Sequence, residues 1–195
     1  MSKAASAPTA LVLRTCRADM ASTKNFAWPQ VGERATAADW NPKAKCGNGL
    51  HGWLYGQGDH ECSNFLDADS KWLVVEVAEA GIVMLGGKCK FESGIVRFVG
   101  DKKGATKYLM ENEPRSANVP VIGASINVGD HAAGQVGALG SLTGGNRSTL
   151  TGGNRSTLTG GNRSTLTGGN RSTLTIKYWD VKKGLSGITG GNDYD

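Results

Sequence analysis

Two cysteines and two histidines lie close together in the first half of the chain and could hold a metal ion. They are Cys46, His51, His60 and Cys62, in the pattern C-x4-H-x8-H-x-C. Thiolate sulfur and neutral imidazole nitrogen are ligands that Zn²⁺ prefers in tetrahedral sites. The spacing matches no common zinc finger, so the alternative is that His51 hydrogen-bonds a glycine-rich turn while the cysteines pack as small apolar groups. We expect neither a bound metal nor a cofactor.

A second set of residues could converge as a catalytic site. Arg14 lies on a predicted first strand, His51 lies in a glycine-rich turn, and Glu76 or Glu92 lies on a later strand. An arginine, a histidine at a strand end and a later glutamate, in this order, resemble the residues of NAD-using ADP-ribosyl transferases. The resemblance implies an enzyme of that class in the N-terminal domain as one alternative. The other interpretation is that Arg14 and Glu76 are paired or solvated on the sheet, and we favour a non-enzymatic protein.

Composition and charge exclude several classes of protein. The 195 residues are enough for one or two domains, and the net charge of +5 is mildly basic. No run of Lys and Arg is interleaved with aromatic residues, so we do not expect nucleic-acid binding. The N-terminus lacks the apolar segment of a signal peptide, and no stretch approaches the ~20 apolar residues of a membrane span. We expect a cytoplasmic protein with reduced thiols and no membrane association.

The residues that precede the repeats predict a small α+β domain over 1–113. Strands are predicted at 10–16 and 71–80, with two or three more short strands in 81–100. Asp101 is a good helix N-cap and Pro114 ends the segment, which predicts one helix between them. Residues 17–45 are expected to be mostly irregular, and the glycine-rich residues 45–62 to form tight turns.

An eight-residue unit, T-G-G-N-R-S-T-L, occurs four times without change over residues 143–174. Looser copies continue the same phase back to about residue 116. A fixed short period is typical of a solenoid. Ser-Thr-Leu-Thr favours a strand and Gly-Gly-Asn-Arg favours a turn, so two units should form one sixteen-residue coil. We predict a β-solenoid over 114–177, with 178–195 as a C-terminal cap or tail that includes Tyr178 and Trp179.

The alternation of side chains along a strand fixes which residues face outward. Leu150 should stack on Leu166 inside one side of the coil, and Leu158 on Leu174 inside the other. The outward positions on the first side are Thr149, Thr151, Thr165 and Thr167, and those on the second side are Thr157, Thr159, Thr173 and Thr175. Four arginines should stack in pairs at the two corners, namely Arg147 with Arg163 and Arg155 with Arg171.

The G-x-R-S-x-L-T-x-G octapeptides resemble the coils of bacterial ice-nucleation proteins, above all their C-terminal coils that carry arginine. The resemblance implies a β-solenoid in which the Thr-x-Thr rows order water and the arginines promote end-to-end multimers. The chain departs from that family in having three or four coils instead of dozens. Asn146, Asn154 and Asn162 also stand where that family has a ladder of tyrosines. Efficient ice nucleation is therefore not expected, because it requires a large ordered surface.

The N-terminal residues also resemble a domain of phage and prophage proteins that carry octapeptide tails. The resemblance rests on CGNGLHGWLYG, KWLVVEV, GGKCKF and FVGDKKGATKYL. It implies a phage-associated structural or interaction protein, in the bacterial cytoplasm or the virion. We expect the solenoid to self-associate by strand addition at its exposed end, with itself or another protein as partner. An ice- or water-ordering surface is the first alternative to this function.

Overall fold

The computed structural model describes residues 7–23, 26–180 and 184–191. Its backbone divides into two compact units, Met1–Ala117 and Asn118–Asp195. The predicted architecture is confirmed, since a sheet-rich N-terminal unit with one α-helix is followed by a β-solenoid with sixteen-residue spacing. The bounds 1–113, 114–177 and 178–195 stay predictions. Within the described residues, no helix has the length and apolar character needed to cross a bilayer.

One antiparallel sheet forms the N-terminal unit. Its central strands pair along their full length, with Val12 opposite Val75 and Arg14 opposite Leu73. The strands are β1 (Thr9–Cys16), β2 (Arg34–Thr36), β3 (Leu50–Leu54), β4 (Lys71–Ala78), β5 (Val83–Met84), β6 (Cys89–Phe91) and β7 (Ser93–Gly100). Their order in the sheet is β2-β7-β4-β1-β3-β6-β5.

The two faces of this sheet bury different side chains. Val12 and Val75 lie in a cluster on one face, which also contains Trp28 and Phe91. Helix α1 (Lys102–Asn112) contacts β1, β4 and β7 and covers the other face, where the Tyr108 ring lies 5.5 Å from the ring of Phe98. Burial on both faces explains why β1 reads as a nearly continuous apolar run.

The predicted helix is confirmed together with its cap. The Asp101 carboxylate accepts a hydrogen bond of 2.7 Å from the Gly104 amide, and α1 ends before Pro114. The end of the helix is tied to the sheet through Glu113, which is 2 % exposed and accepts a hydrogen bond of 3.0 Å from the Leu11 amide. Arg115 then donates to Glu113 at 2.6 Å, so the carboxylate is fully engaged.

The structure adds detail to three expectations about the element bounds. Residues 34–36 form the short strand β2 within the segment 17–45, which was expected to be mostly irregular. The glycine-rich segment 45–62 contains β3. Glycine is needed at position 52 of this strand, because a Cβ there would meet the Val12 side chain and, at 2.7 Å, the Leu13 carbonyl oxygen of β1. Pro114–Asn118 forms a 3-10 helix, and the first solenoid strand begins at Ser125.

The solenoid consists of two parallel sheets whose strands alternate along the chain. Thr149 pairs with Thr165 in one sheet and Thr157 pairs with Thr173 in the other, so one coil contains sixteen residues. One sheet contains β9 (Ala133–Val136), β11 (Thr149–Gly152) and β13 (Thr165–Gly168). The other contains β8 (Ser125–Val128), β10 (Ser141–Gly144), β12 (Thr157–Gly160), β14 (Thr173–Asp180) and β15 (Gly184–Gly191).

The last two strands differ from the repeat. β15 pairs antiparallel with β14, with Thr175 opposite Thr189, so β14 has a neighbour on each side. The cap predicted at Tyr178 and Trp179 depends on side chains that lie outside the described portion of the structure, and it stays a prediction.

In β10 to β13, apolar burial inside the coil comes from a single leucine per strand. Leu142, Leu150 and Leu158 are 0 % exposed. The glycine pair at the end of each of these strands lets neighbouring groups approach this thin core. A Cβ on Gly152 would overlap the Ser156 hydroxyl, and a Cβ on Gly153 would lie 2.5 Å from the Ala138 nitrogen of the preceding coil.

Gly52 and Gly81 provide a matched test of this close packing in the N-terminal unit. A Cβ at Gly52 would overlap β1, whereas a Cβ at Gly81 would meet nothing within 4 Å. We predict that Gly52→Ala lowers the free energy of unfolding by about 1–3 kcal/mol, as overpacking does in other proteins. Gly81→Ala should leave it nearly unchanged. Urea unfolding of both variants measures the difference, and equal stabilities would contradict the fold around β3.

Candidate functional site

The threonines of the repeats lie in straight rows on the outside of the solenoid. On the three-stranded sheet, Thr149 lies opposite Thr165 and Thr151 lies opposite Thr167, and all four residues are exposed. The strand spacing places neighbouring threonines of a row ~4.8 Å apart, and the two rows lie ~6.6 Å apart along the strands. The sheet therefore presents a regular lattice of hydroxyl and methyl groups to solvent.

The rows on the five-stranded sheet are longer. One row contains Ser125, Ser141, Thr157 and Thr173, and the other contains Asn127, Thr143, Thr159 and Thr175. Thr157 and Thr173 are exposed, whereas Thr159 and Thr175 are partly buried. Ser141 and Thr143 were not among the predicted row residues. They lie sixteen residues before Thr157 and Thr159, so the period of the repeat is the sequence signal for them. The role of the threonines stays a prediction.

The four repeat arginines occupy backbone positions that favour other residues. Arg147, Arg155, Arg163 and Arg171 have φ values of 54°, 56°, 59° and 57°. This left-handed region costs a residue with a Cβ roughly 1–2 kcal/mol, and glycine or asparagine occupies it more readily. All four arginines are exposed. Their side chains are therefore not explained by the stability of the turn.

A ladder of asparagines holds the corners where these arginines lie. The Asn146 side-chain oxygen accepts a hydrogen bond of 2.8 Å from the Asn162 amide, and the Asn154 oxygen accepts one of 3.0 Å from the Asn170 amide. Asp130 has the equivalent role in the preceding coil, since its carboxylate accepts from the Asn146 amide at 2.7 Å. Sequence reasoning placed asparagine in the turn but did not identify this bond between coils.

Serines form a second ladder inside the coil. The hydroxyls of Ser148 and Ser164 lie 3.0 Å apart, and those of Ser156 and Ser172 lie 3.1 Å apart. In each pair, the hydroxyl of the later serine also accepts a hydrogen bond from the amide of the earlier one. For example, the Ser156 N–H donates to the Ser172 hydroxyl at 3.2 Å. These bonds satisfy polar groups at the edge of the leucine core, and they fix the same register as the asparagine ladder.

The N-terminal unit brings two of the three catalytic candidates together. An Arg14 side-chain nitrogen donates to the His51 carbonyl oxygen at 2.6 Å, and both residues line a cavity of about 520 Å³. Burial, followed by the charges of Lys88, Arg14 and Lys90, lowers the pKa of His51 to about 4. His51 is therefore neutral at physiological pH.

The third candidate, Glu76, lies elsewhere. It pairs with Leu11 across the sheet and therefore projects from the face opposite to Arg14. There it accepts hydrogen bonds from Thr9 at 2.9 Å and Arg97 at 2.6 Å. This position agrees with the other interpretation of Glu76 given above, in which its carboxylate is paired on the sheet.

The four metal-ligand candidates do not form one cluster. Cys46 and Cys62 are exposed free thiols that line the same cavity as His51, whereas His60 is 4 % exposed and lies next to Asp59. No group of three or more His, Cys, Asp or Glu side chains has a metal-binding arrangement in the described stretches of the chain.

Comparison with known families adds to this geometry. Residues 10–111, just over half of the chain, match the family described as Domain of unknown function (DUF7666). The chain belongs to the DUF7666 family. This family covers the seven-stranded sheet and nearly all of α1, so it contains the cavity beside Arg14.

Curated relatives of this DUF7666 protein are ice nucleation proteins. One from Pseudomonas syringae is 37% identical over 115 residues, and one from Pseudomonas fluorescens is 36% identical over 104 residues. Ice nucleation protein InaU from Pantoea ananas is 33% identical over 104 residues. The matches cover 57%, 52% and 52% of this chain but only 9%, 8% and 10% of those proteins. No solved structure matches the chain.

The left-handed backbone conformation of the repeat arginines in this DUF7666 protein predicts how substitutions there affect stability. Arg155→Asn places a residue that tolerates positive φ at the same corner. We predict an unchanged free energy of unfolding or a gain of up to about 1 kcal/mol. Arg155→Val, which is β-branched, should instead lose about 1–3 kcal/mol at this φ. Thermal unfolding compares the two variants, and a clear loss of stability in Arg155→Asn would show that the arginine side chain holds the turn.

Proposed function

We propose that the solenoid is a water-ordering, ice-binding surface whose active elements are the threonine rows. The observation that carries this proposal is the register of the five-stranded sheet, in which hydroxyl side chains repeat at every strand from Ser141 to Thr173. Hydroxyls that are held at fixed spacing can anchor waters at fixed spacing, and the flat face between them keeps methyl groups exposed. Similarity to ice nucleation proteins from three bacterial species supports the same function.

The extent of the rows favours binding to ice over starting it. On the five-stranded sheet each row contains four residues, which at ~4.8 Å per strand is a patch shorter than ~20 Å. A patch of this length can attach to an existing crystal and impede its growth. Starting a crystal requires a much larger ordered layer of water, which one copy of this solenoid does not offer.

The test compares two charged substitutions on exposed strand threonines. Thr157→Lys interrupts a row, whereas Thr36→Lys makes the same change on an exposed position of the N-terminal sheet. We predict that the wild-type protein and Thr36→Lys slow ice recrystallisation and give thermal hysteresis, and that Thr157→Lys loses most of both. Circular dichroism serves as the control for folding. A wild-type protein without effect on ice crystals would overturn the proposal.

A second candidate function is self-association through the ends of the three-stranded sheet. Within the described residues, β9 and β13 each pair only with β11, so they are the two opposite edges of one parallel sheet. Pairing of β13 in one copy with β9 in another would continue the sheet and lengthen its threonine rows. Such a head-to-tail contact is heterologous and does not close, so it produces chains of copies. The exposed arginine corners, which resemble the multimer-forming coils described above, support this candidate.

Self-association is also consistent with a phage-associated structural role, which the resemblance of the N-terminal residues to phage and prophage domains supports. We propose such a role in the host cytoplasm or the virion as the setting of the protein. In that setting the partner of the solenoid is a second copy of the same chain.

The edge contact can be tested at Gln135, an exposed residue of β9. Thr149 donates to the Ala132 carbonyl at 2.9 Å, so alternation along the ladder directs the Gln135 amide away from β11. We predict that the mass of the wild-type protein in sedimentation rises with concentration. Gln135→Pro, which removes the amide donor, should stay monomeric, whereas Gln135→Ala should associate as the wild type does. A wild-type monomer at all concentrations would contradict this candidate.

A further inference from the structure

The cavity of the N-terminal unit contains a cation that no acidic group among the described residues neutralises. Arg14 lines this cavity of about 520 Å³, and its Nε atom is buried and has no hydrogen-bond partner in the described structure. Burial lowers the pKa of Arg14 to about 10, with the Cys16 thiol acting in the opposite direction, so the guanidinium remains charged at neutral pH. The guanidinium contacts the His51 carbonyl oxygen at 2.6 Å and the Trp28 ring, whose centroid is 4.6 Å from Cζ.

An uncompensated buried charge is costly, and proteins normally pair it with an opposite charge. Arg115, in the same unit, is an example of such pairing, since it forms ion pairs with both Glu79 and Glu113. Around Arg14 the described structure offers a ring face and a carbonyl dipole instead of a carboxylate. These contacts hold the guanidinium in place but leave its charge available to a molecule in the cavity.

Other groups around the cavity add positive charge. Lys88 lines it directly, and Lys90 is 1 % exposed beneath the adjoining loop, where its ammonium group donates to the Lys45 carbonyl oxygen at 2.9 Å. Asp39 also lines the cavity, but its carboxylate accepts a hydrogen bond of 3.1 Å from the Gly49 amide. His51 contributes no charge at neutral pH, so the cations outnumber the single carboxylate.

The remaining wall suits a flat apolar group. Phe26, Trp53 and Phe65 line the cavity together with Leu50. A volume of this order holds one small organic molecule, and such sites combine apolar walls with a few polar anchors.

We propose that this cavity is a binding site for a small organic oxyanion, a carboxylate or phosphate attached to a flat apolar group, with Arg14 as its anchor. The guanidinium binds the oxyanion by charge-assisted hydrogen bonds, and Lys88 strengthens the attraction at the rim. The aromatic side chains cover the apolar portion of the ligand. The site belongs to the DUF7666 domain and is separate in function from the solenoid surface.

The test uses the full-length protein and four probes: benzoate, phenyl phosphate, inorganic phosphate and the uncharged benzamide. Binding is followed by calorimetry and by the fluorescence of tryptophan, because Trp53 lines the cavity. We expect benzoate or phenyl phosphate to bind, inorganic phosphate to bind more weakly, and benzamide not to bind. The stronger of the first two identifies the preferred oxyanion. Absence of binding by both aromatic anions, or equal binding of benzamide, overturns the proposal.

Two variants assign the binding to the cavity. Arg14→Met keeps an unbranched side chain but removes the guanidinium, and it should weaken anion binding by about tenfold to a hundredfold, which corresponds to the loss of a charge-assisted hydrogen bond. Lys88→Gln, at a partly exposed position, should weaken it by several-fold without affecting folding, and it keeps the test informative if Arg14→Met does not fold. Lys103→Gln on the exposed surface of α1 is the matched control. Unchanged affinity in both cavity variants would contradict the assignment.

Discussion

The solenoid depends on the close approach of one coil to the next at the glycine pairs. At Gly153, Gly161 and Gly169 a Cβ would lie within 3 Å of the backbone or the asparagine side chain of the preceding coil. This approach allows the carbonyl of Asn162 to accept a hydrogen bond of 2.8 Å from the Arg147 amide. The asparagine and serine ladders add further hydrogen bonds between the coils. The outward rows of threonine are aligned because these inner contacts allow only one register. Their regularity is therefore a consequence of the corners more than of the strands.

The arginines of the solenoid corners and Arg14 of the cavity each lie in an arrangement that is unfavourable by itself. At the solenoid corners, arginine occupies a left-handed conformation that asparagine would tolerate better. In the N-terminal unit, the Arg14 guanidinium has a buried Nε atom and no carboxylate beside it among the described residues. In each case the surrounding hydrogen bonds hold the residue in place. Such compromises often occur at functional positions, where stability is not the only requirement.

The features of the structure that depend on local pattern could be predicted from the sequence. The eight-residue period and the alternation of Leu150 with its neighbours were sufficient for the coil, the inward leucines and the outward threonines. The Asp101 cap and Pro114 were sufficient for the helix. The strand β3 was not predictable, because Gly52 is selected by its contact with Val12, which is distant in the sequence.

The cavity shows the same limit. It combines Arg14, His51 and Lys88, and sequence reasoning connected only the first two, by their order and not by their distance. Glu76 lies on the same strand as core residues of both faces, so the sequence does not show which face it shares with other strands. Only the pairing of β1 with β4 shows that Glu76 faces away from Arg14. Residues that meet through long-range pairing have no common local signal.

The most direct measurement of the central claim is a disulfide test of the sixteen-residue register. In a background with Cys46→Ser and Cys62→Ser, cysteines would replace Thr149 and Thr165 in one variant and Thr149 and Thr157 in another. Adjacent parallel strands hold the Cα atoms of the first pair ~4.8 Å apart, which is within the range of a disulfide, whereas the second pair lies on opposite faces. The structure predicts rapid intramolecular oxidation of the first pair and none of the second. Oxidation of the second pair, or of neither, would contradict the stacked coils.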